Sequence, residues 1–181
     1  MAKRRIAGVL VAISMGSWAG CGTLYQAATE ERPLSVFVDD EVITTKIKKA
    51  FFDAVPQALS SLSVFCHQGH VVLAGVVTDS RVGERASAVA RAVEGVKRVE
   101  TYFLPSQPAP LRDLEMSAKI KAKLIGDSAL RVSQVDMVVI AGHAVLTGVV
   151  DRQEKIERIV RYARSVDGVV AVKSFLELKS Q

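Results

Sequence analysis

Three histidines, two cysteines and a set of regularly placed lysines and arginines are the side chains here that could carry chemistry. His70 and His143 each follow a glycine, and His67 lies three residues before His70. Two imidazoles without carboxylate or thiolate neighbours make a poor metal site, so hairpin-end histidines are the favoured reading. Cys66 alternates with Val64 in a β-prone run, which suits a small packing residue better than a nucleophile. No Ser-His-Asp order, phosphate-binding glycine loop or paired-carboxylate pattern stands out. We therefore expect no enzyme, no metal and no cofactor. Aromatic residues make up only 6% of the chain, poor material for stacking bases, so nucleic acid is not an expected partner.

Cys21 sits in a different context. Lys3, Arg4 and Arg5 form a positive start, Ile6–Met15 is an uncharged apolar run, and Gly16–Cys21 is rich in small residues. This is the layout of a secretory signal peptide over residues 1–20. The apolar run is shorter than the roughly 20 residues that a bilayer-spanning helix needs. Ala19-Gly20-Cys21 resembles the end of a bacterial lipobox, although Trp18 stands where leucine is usual. The resemblance implies that Cys21 is lipidated and becomes the new amino terminus. Cleavage after Ala19 is the alternative, and it would leave a soluble periplasmic protein. Gly22, in place of the aspartate of inner-membrane lipoproteins, points to the outer membrane. Loss of the first 20 residues removes three basic groups and takes the formal charge from +5 to +2.

The elements that would position any site come in two copies. An offset of 73 pairs Ile47 with Ile120, Gly69-His70 with Gly142-His143, Gly75-Val76-Val77 with Gly148-Val149-Val150, and Gly95-Val96 with Gly168-Val169. The register holds without an insertion, so one domain is repeated. Residues 21–38 read as a tether, 39–104 as the first domain, 105–110 (PSQPAP) as a proline-rich linker and 111–181 as the second domain.

Each copy opens with a short helix, marked by Ile43, Ile47 and Phe51 in one and Met116, Ile120 and Leu124 in the other. A hairpin follows, with Gln68-Gly69 and Ala141-Gly142 as two-residue turns between Leu62–His67 and His70–Val77, and between Val135–Ile140 and His143–Val150. A longer helix comes next. Thr78-Asp79 caps it in copy one, and Asp151 with Glu154 forms a capping-box-like start in copy two. Gly95 and Gly168 stand where C-cap glycines belong. A last strand covers Val96–Leu104 and Val169–Leu178, parallel to its neighbour. The expected fold is α+β: two tandem αββαβ two-layer sandwiches, each with a three-stranded mixed sheet and two helices on one face. Gly75 and Gly148 lie inside strands, which suggests close approach of another element.

This pattern resembles the BON domain. Its carriers are Leu73-Ala74-Gly75-Val76-Val77 with Gly95-Val96, and Leu146-Thr147-Gly148-Val149-Val150 with Gly168-Val169. The architecture is similar to the dual-BON, DolP-type outer-membrane lipoproteins. The resemblance implies a lipid-anchored, non-enzymatic periplasmic envelope protein that binds anionic phospholipid and supports outer-membrane integrity. The other reading it allows is a protein-interaction or self-association module of an envelope machine, since the fold is similar to the ring-forming domains of secretins.

In that family, lipid contact is attributed to the start of the first helix of the second domain. The segment here most like it lies in copy one, where Val42 takes the place of a tryptophan and Ile43 and Lys46 follow. Charge favours copy two instead. Residues 39–104 carry eight basic and eight acidic groups, whereas residues 111–181 carry twelve and nine. Lys119, Lys121, Lys123, Arg158 and Arg161 are therefore the expected phospholipid-binding residues, with Val42, Ile43 and Lys46 as the alternative contact. A solvated face with Glu154–Arg158 and Glu157–Arg161 pairs is the competing explanation of the same charges.

Overall fold

The computed structural model describes residues 34–105, 110–130 and 135–179. The signal peptide, Cys21, the tether up to residue 33 and linker residues 106–109 lie outside the described residues.

Helix α1 spans Leu34–Ala54, so the last residues assigned to the tether are helical. A short α2 (Pro56–Ser61) follows, opened by a proline whose fixed φ suits a first helical turn. The hairpin β1 (Leu62–His67) and β2 (His70–Val76), helix α3 (Ser80–Arg91) and strand β3 (Arg98–Leu104) complete the first domain. The second domain is α4 (Pro110–Ile125), β4 (Val135–Ile140), β5 (His143–Val150), α5 (Gln153–Arg164) and β6 (Ala171–Leu178). Pro110, counted with the linker in the sequence, is the first residue of α4, where its missing N–H costs nothing.

Each sheet has the order hairpin strand, hairpin strand, last strand, with an antiparallel and then a parallel pairing. The mixed three-stranded sheets match the expected fold. Both turn residues of each hairpin have positive φ: Gln68 and Gly69 in one, Ala141 and Gly142 in the other. That is the primed geometry that agrees with strand twist.

A buried aspartate fixes each turn to the first helix. Asp40 accepts hydrogen bonds from the backbone N–H of Gln68 at 2.8 Å and of Gly69 at 2.9 Å, and Cys66 Sγ donates to it at 3.2 Å. Asp113, at the same offset of 73, accepts from Ala141 and Gly142 at 2.8 and 2.9 Å. The first helix and the hairpin tip are thus one unit in each domain.

Two features differ from the sequence reading. Helix α5 is capped by Arg152 without a side-chain hydrogen bond, rather than by Asp151. Asp151 instead pairs with Lys155 at 2.8 Å across the first turn. Gly95 and Gly168 are not C-caps either. The helices end at Arg91 and Arg164 with Ala92 and Ser165 as caps, and each glycine lies three residues further on with φ near +90° (+92 and +91). The last strands consequently start two residues later than expected. Ile43 Cδ1 would lie 2.9 Å from a Cβ on Gly95, and Met116 Sδ 3.2 Å from one on Gly168, so the first helix packs directly over this turn. Gly75 marks the close approach foreseen in the sequence: a Cβ there would meet the Ser61 carbonyl oxygen at 1.9 Å. Its counterpart Gly148 has φ +142°.

Helices cover one face of each sheet. Ile43, Ile47, Phe51, Leu73, Ala86 and Ala90 build the first core, and Met116, Ile120, Leu124, Leu146, Ile159 and Ala163 the second. The opposite faces of the two sheets pack on each other. Val72 and Ala74 meet Ile140 and Val145, with Phe65, Tyr102, Val138 and Phe175 around them. Polar pairs surround this contact: His67 Nε2 lies 3.2 Å from Asp136, His70 Nδ1 2.7 Å from Glu177, and the Tyr102 hydroxyl 2.7 Å from His143 Nδ1. Arg98 also pairs with Glu177. His70 and His143, at equivalent positions of the two hairpins, thus each reach the last strand of the other domain, the reciprocal pattern of a two-fold-like contact.

Candidate functional site: the outward face of the first helix of domain 2

Helix α4 has two apolar faces. Met116, Ile120 and Leu124 point into the core. Leu111, Leu114, Ala118, Ala122 and Ile125, spaced three, four, four and three apart, form a second stripe that faces solvent. Leu111 is 84% exposed, Leu114 68% and Ile125 63%. Val170, 75% exposed, lies at the same end as Leu111. Its N–H bonds the Gly142 carbonyl, and the Gly142 N–H bonds Asp113 of α4. Singly exposed apolar residues are ordinary, but a contiguous line of them along a helix is not.

The polar residues of α4 flank this stripe. Helical geometry puts Lys121 on one side and Arg112, Glu115, Lys119 and Lys123 on the other. Lys119 pairs with Glu115 at 2.6 Å. That hydrogen bond holds the Glu115 carboxyl below its ordinary range and raises the Lys119 ammonium. Lys121 and Lys123 are exposed.

The expected basic residues of α5 sit elsewhere. Arg158 bonds Asp127 at 3.1 Å, and the Tyr162 hydroxyl donates to the same carboxylate at 2.9 Å. The Tyr162 bond first, then the Ala129 N–H and Arg158, keep Asp127 ionised to lower pH than usual. The same bond raises the Tyr162 phenol. Arg158 thus secures the loop after α4, and Arg161 is exposed on α5.

Copy one keeps apolar residues only at the two ends of this line, Val38 for Leu111 and Phe52 for Ile125. The positions matching Leu114, Ala118 and Ala122 are Glu41, Thr45 and Lys49, and Val170 is replaced by Lys97. Phe52 is 69% exposed. Of the alternative contact residues, Ile43 is buried beside Gly95, Lys46 pairs with Glu94 at 3.1 Å, and Val42 is half exposed. The stripe went unnoticed in the sequence because Met116, Ile120 and Leu124 already satisfy one helical face. Its signal was present in the residues left over.

Among the described residues, no group of three or more histidine, cysteine, aspartate or glutamate side chains could hold a metal ion. Among them, too, no helix is long and apolar enough to cross a membrane.

Comparison with known proteins gives the lineage. Osmotically-inducible protein Y of Escherichia coli (strain K12) is 30% identical over 199 residues, covering 99% of each chain. Outer membrane lipoprotein DolP of Haemophilus influenzae is 27% identical over 152 residues, covering 81% of this chain and 78% of its own. A solved structure of CdsD, a structural protein of the type III secretion system of Chlamydia trachomatis, aligns over 75% of this chain and 91% of its own at 15% identity. The TM-score of that alignment is 0.33. The BON domain family matches residues 39–103 and 112–180, and the chain belongs to that family as a two-domain, DolP-like member.

Proposed function

We propose that this chain is a non-enzymatic envelope protein of the DolP kind. It lies on the periplasmic face of the outer membrane, anchored by an acylated Cys21, and binds anionic phospholipid through the outward face of α4. In this role it supports the integrity of the membrane. The observation that carries the reading is the asymmetry between the copies: where the first helix of domain 2 has Leu114, Ala118 and Ala122 between basic flanks, that of domain 1 has Glu41, Thr45 and Lys49.

A helix with an exposed apolar stripe between lysines suits the interfacial plane of a bilayer. The apolar side chains enter the acyl boundary while the lysines extend sideways to the head groups. Each basic group near an anionic surface contributes about 1 kcal/mol, and each large apolar side chain removed from water about 1.5–3 kcal/mol when fully buried. Leu111, Leu114 and Ile125 can therefore supply at least as much as the lysines. The attraction fades beyond about 8 Å at physiological salt, so the stripe must touch the surface.

Vesicle flotation of the mature chain with Cys21→Ser tests the reading without the acyl anchor. Phosphatidylglycerol vesicles should carry the protein and phosphatidylcholine vesicles should not. Leu111→Asp with Leu114→Asp should abolish flotation while leaving the melting temperature near that of the parent. Flotation unchanged by this pair would overturn the assignment of α4.

A further inference from the structure

The α4 stripe has a second property that membrane contact does not require. Its spacing is symmetric about Ala118: Leu111 and Ile125 lie seven residues to either side, and Leu114 and Ala122 four. We infer that, away from a membrane, this face pairs with the same face of a second copy as an antiparallel α4–α4 contact centred on Ala118. The inference uses the surface assigned above to lipid, but it does not depend on lipid binding being right.

Antiparallel pairing through Ala118 sets Leu111 of each helix over Ile125 of the other and Leu114 over Ala122. Large side chains then meet large ones at the ends and small ones toward the middle. The two small residues let the helix axes approach closely where they cross. An isologous contact of this kind needs a self-complementary patch, and symmetric spacing is what makes one.

The charges agree with this orientation. Glu115, Lys119 and Lys123 lie along one flank. In the antiparallel pair, Glu115 of one copy comes between Lys119 and Lys123 of the other. A parallel two-fold pair would instead set the Lys119 and Lys123 flank against the Lys121 flank of the partner, cation facing cation. Glu115 is already bonded to Lys119 within its own helix, so pairing adds a second cation rather than recruiting a free one.

The contact is small. A 16-residue helix is about 24 Å long, and one helix pair falls below the roughly 1,200 Å² of a standard interface. Pairing should thus be weak in dilute solution and favoured by high local concentration. A lipid surface and a second helix cannot cover the same side chains together, so lipid binding and pairing should compete.

Site-directed crosslinking of the mature Cys21→Ser chain tests this. Ala118→Cys lies on the two-fold axis and should oxidise to a disulfide dimer. Thr45→Cys, the exposed counterpart in domain 1, serves as the reference. We expect at least fivefold faster dimer formation for Ala118→Cys, and loss of that advantage when Leu114→Glu is added. Equal rates for the two cysteines, or an advantage that survives Leu114→Glu, would overturn the pairing. Adding phosphatidylglycerol vesicles should suppress the Ala118→Cys dimer. A dimer that persists on floated vesicles would overturn the competition. A dimer with no flotation at all would leave the pairing standing and remove the lipid reading.

Discussion

Asp40 and Asp113 were not singled out in the sequence, although the offset of 73 aligns them. An aspartate near a helix start reads as a solvent-facing cap, and only the folded turn shows that the carboxylate is buried against two backbone donors. Replacing Asp113 with Ala leaves the Ala141 and Gly142 N–H groups without this acceptor. Unsatisfied buried donors cost about 1–3 kcal/mol each, so domain 2 should lose about 2 kcal/mol or more. Asp113→Asn retains one acceptor and should lose less, and urea unfolding of the two variants checks the order. Gly75, by contrast, was legible as a point of close approach. Gly75→Val would push a branched side chain into the Ser61 carbonyl, which is backbone and has little room to yield. We expect a loss toward the upper end of the 1–3 kcal/mol typical of overpacking, read as a lower melting temperature for domain 1.

At the scale of elements, the loop after α4 is held by Asp127, which has no counterpart in domain 1, where Ala54 stands. Its bonds to Tyr162, Ala129 and Arg158 lower its folded-state pKa. That stabilisation is present in full above the ordinary carboxylate pKa, near 4, and is lost as pH falls through the lower folded value. Asp127→Asn should flatten this acid dependence while changing little below it, as denaturant midpoints from about pH 6 down to about pH 3 would show. Element order, hairpin turns and parallel pairing were readable because periodicity and turn chemistry are local. The helix ends were not. Asp151 has two cations within reach, Lys155 and Arg152, and its carboxylate pairs with them while Arg152 takes the cap position. The lysines of α4 stand out in the sequence as a charge count and in the structure as flanks of an apolar stripe. Replacing Lys119, Lys121 and Lys123 with Gln should weaken flotation with phosphatidylglycerol vesicles more than replacing Lys46, Lys48 and Lys49. Equal losses would return the contact to domain 1.

At the scale of the molecule, the sheet-to-sheet contact was missed, yet β2 carried a trace of it. Val71, Leu73 and Gly75 alternate with Val72, Ala74 and Val76, so both faces of the strand are apolar. A strand apolar on both sides is buried on both sides, and one layer of helices covers only one. The uncovered face of each domain is satisfied by the other. Val72 and Val145 are almost fully buried, pack in this contact and belong to neither helix-covered core. Glutamate at either position places a carboxylate in an apolar interface without altering the cores beneath the helices. The domains should then separate while each stays folded. Val145→Glu should thus increase the radius of gyration in solution scattering and speed proteolysis within residues 105–110, with far-ultraviolet circular dichroism unchanged. A variant as compact and as resistant as the parent would show that the sheet faces are not what holds the two domains together. The His70–Glu177, Arg98–Glu177 and Tyr102–His143 pairs would then have to carry the contact, and Glu177→Gln would be the variant that opens it.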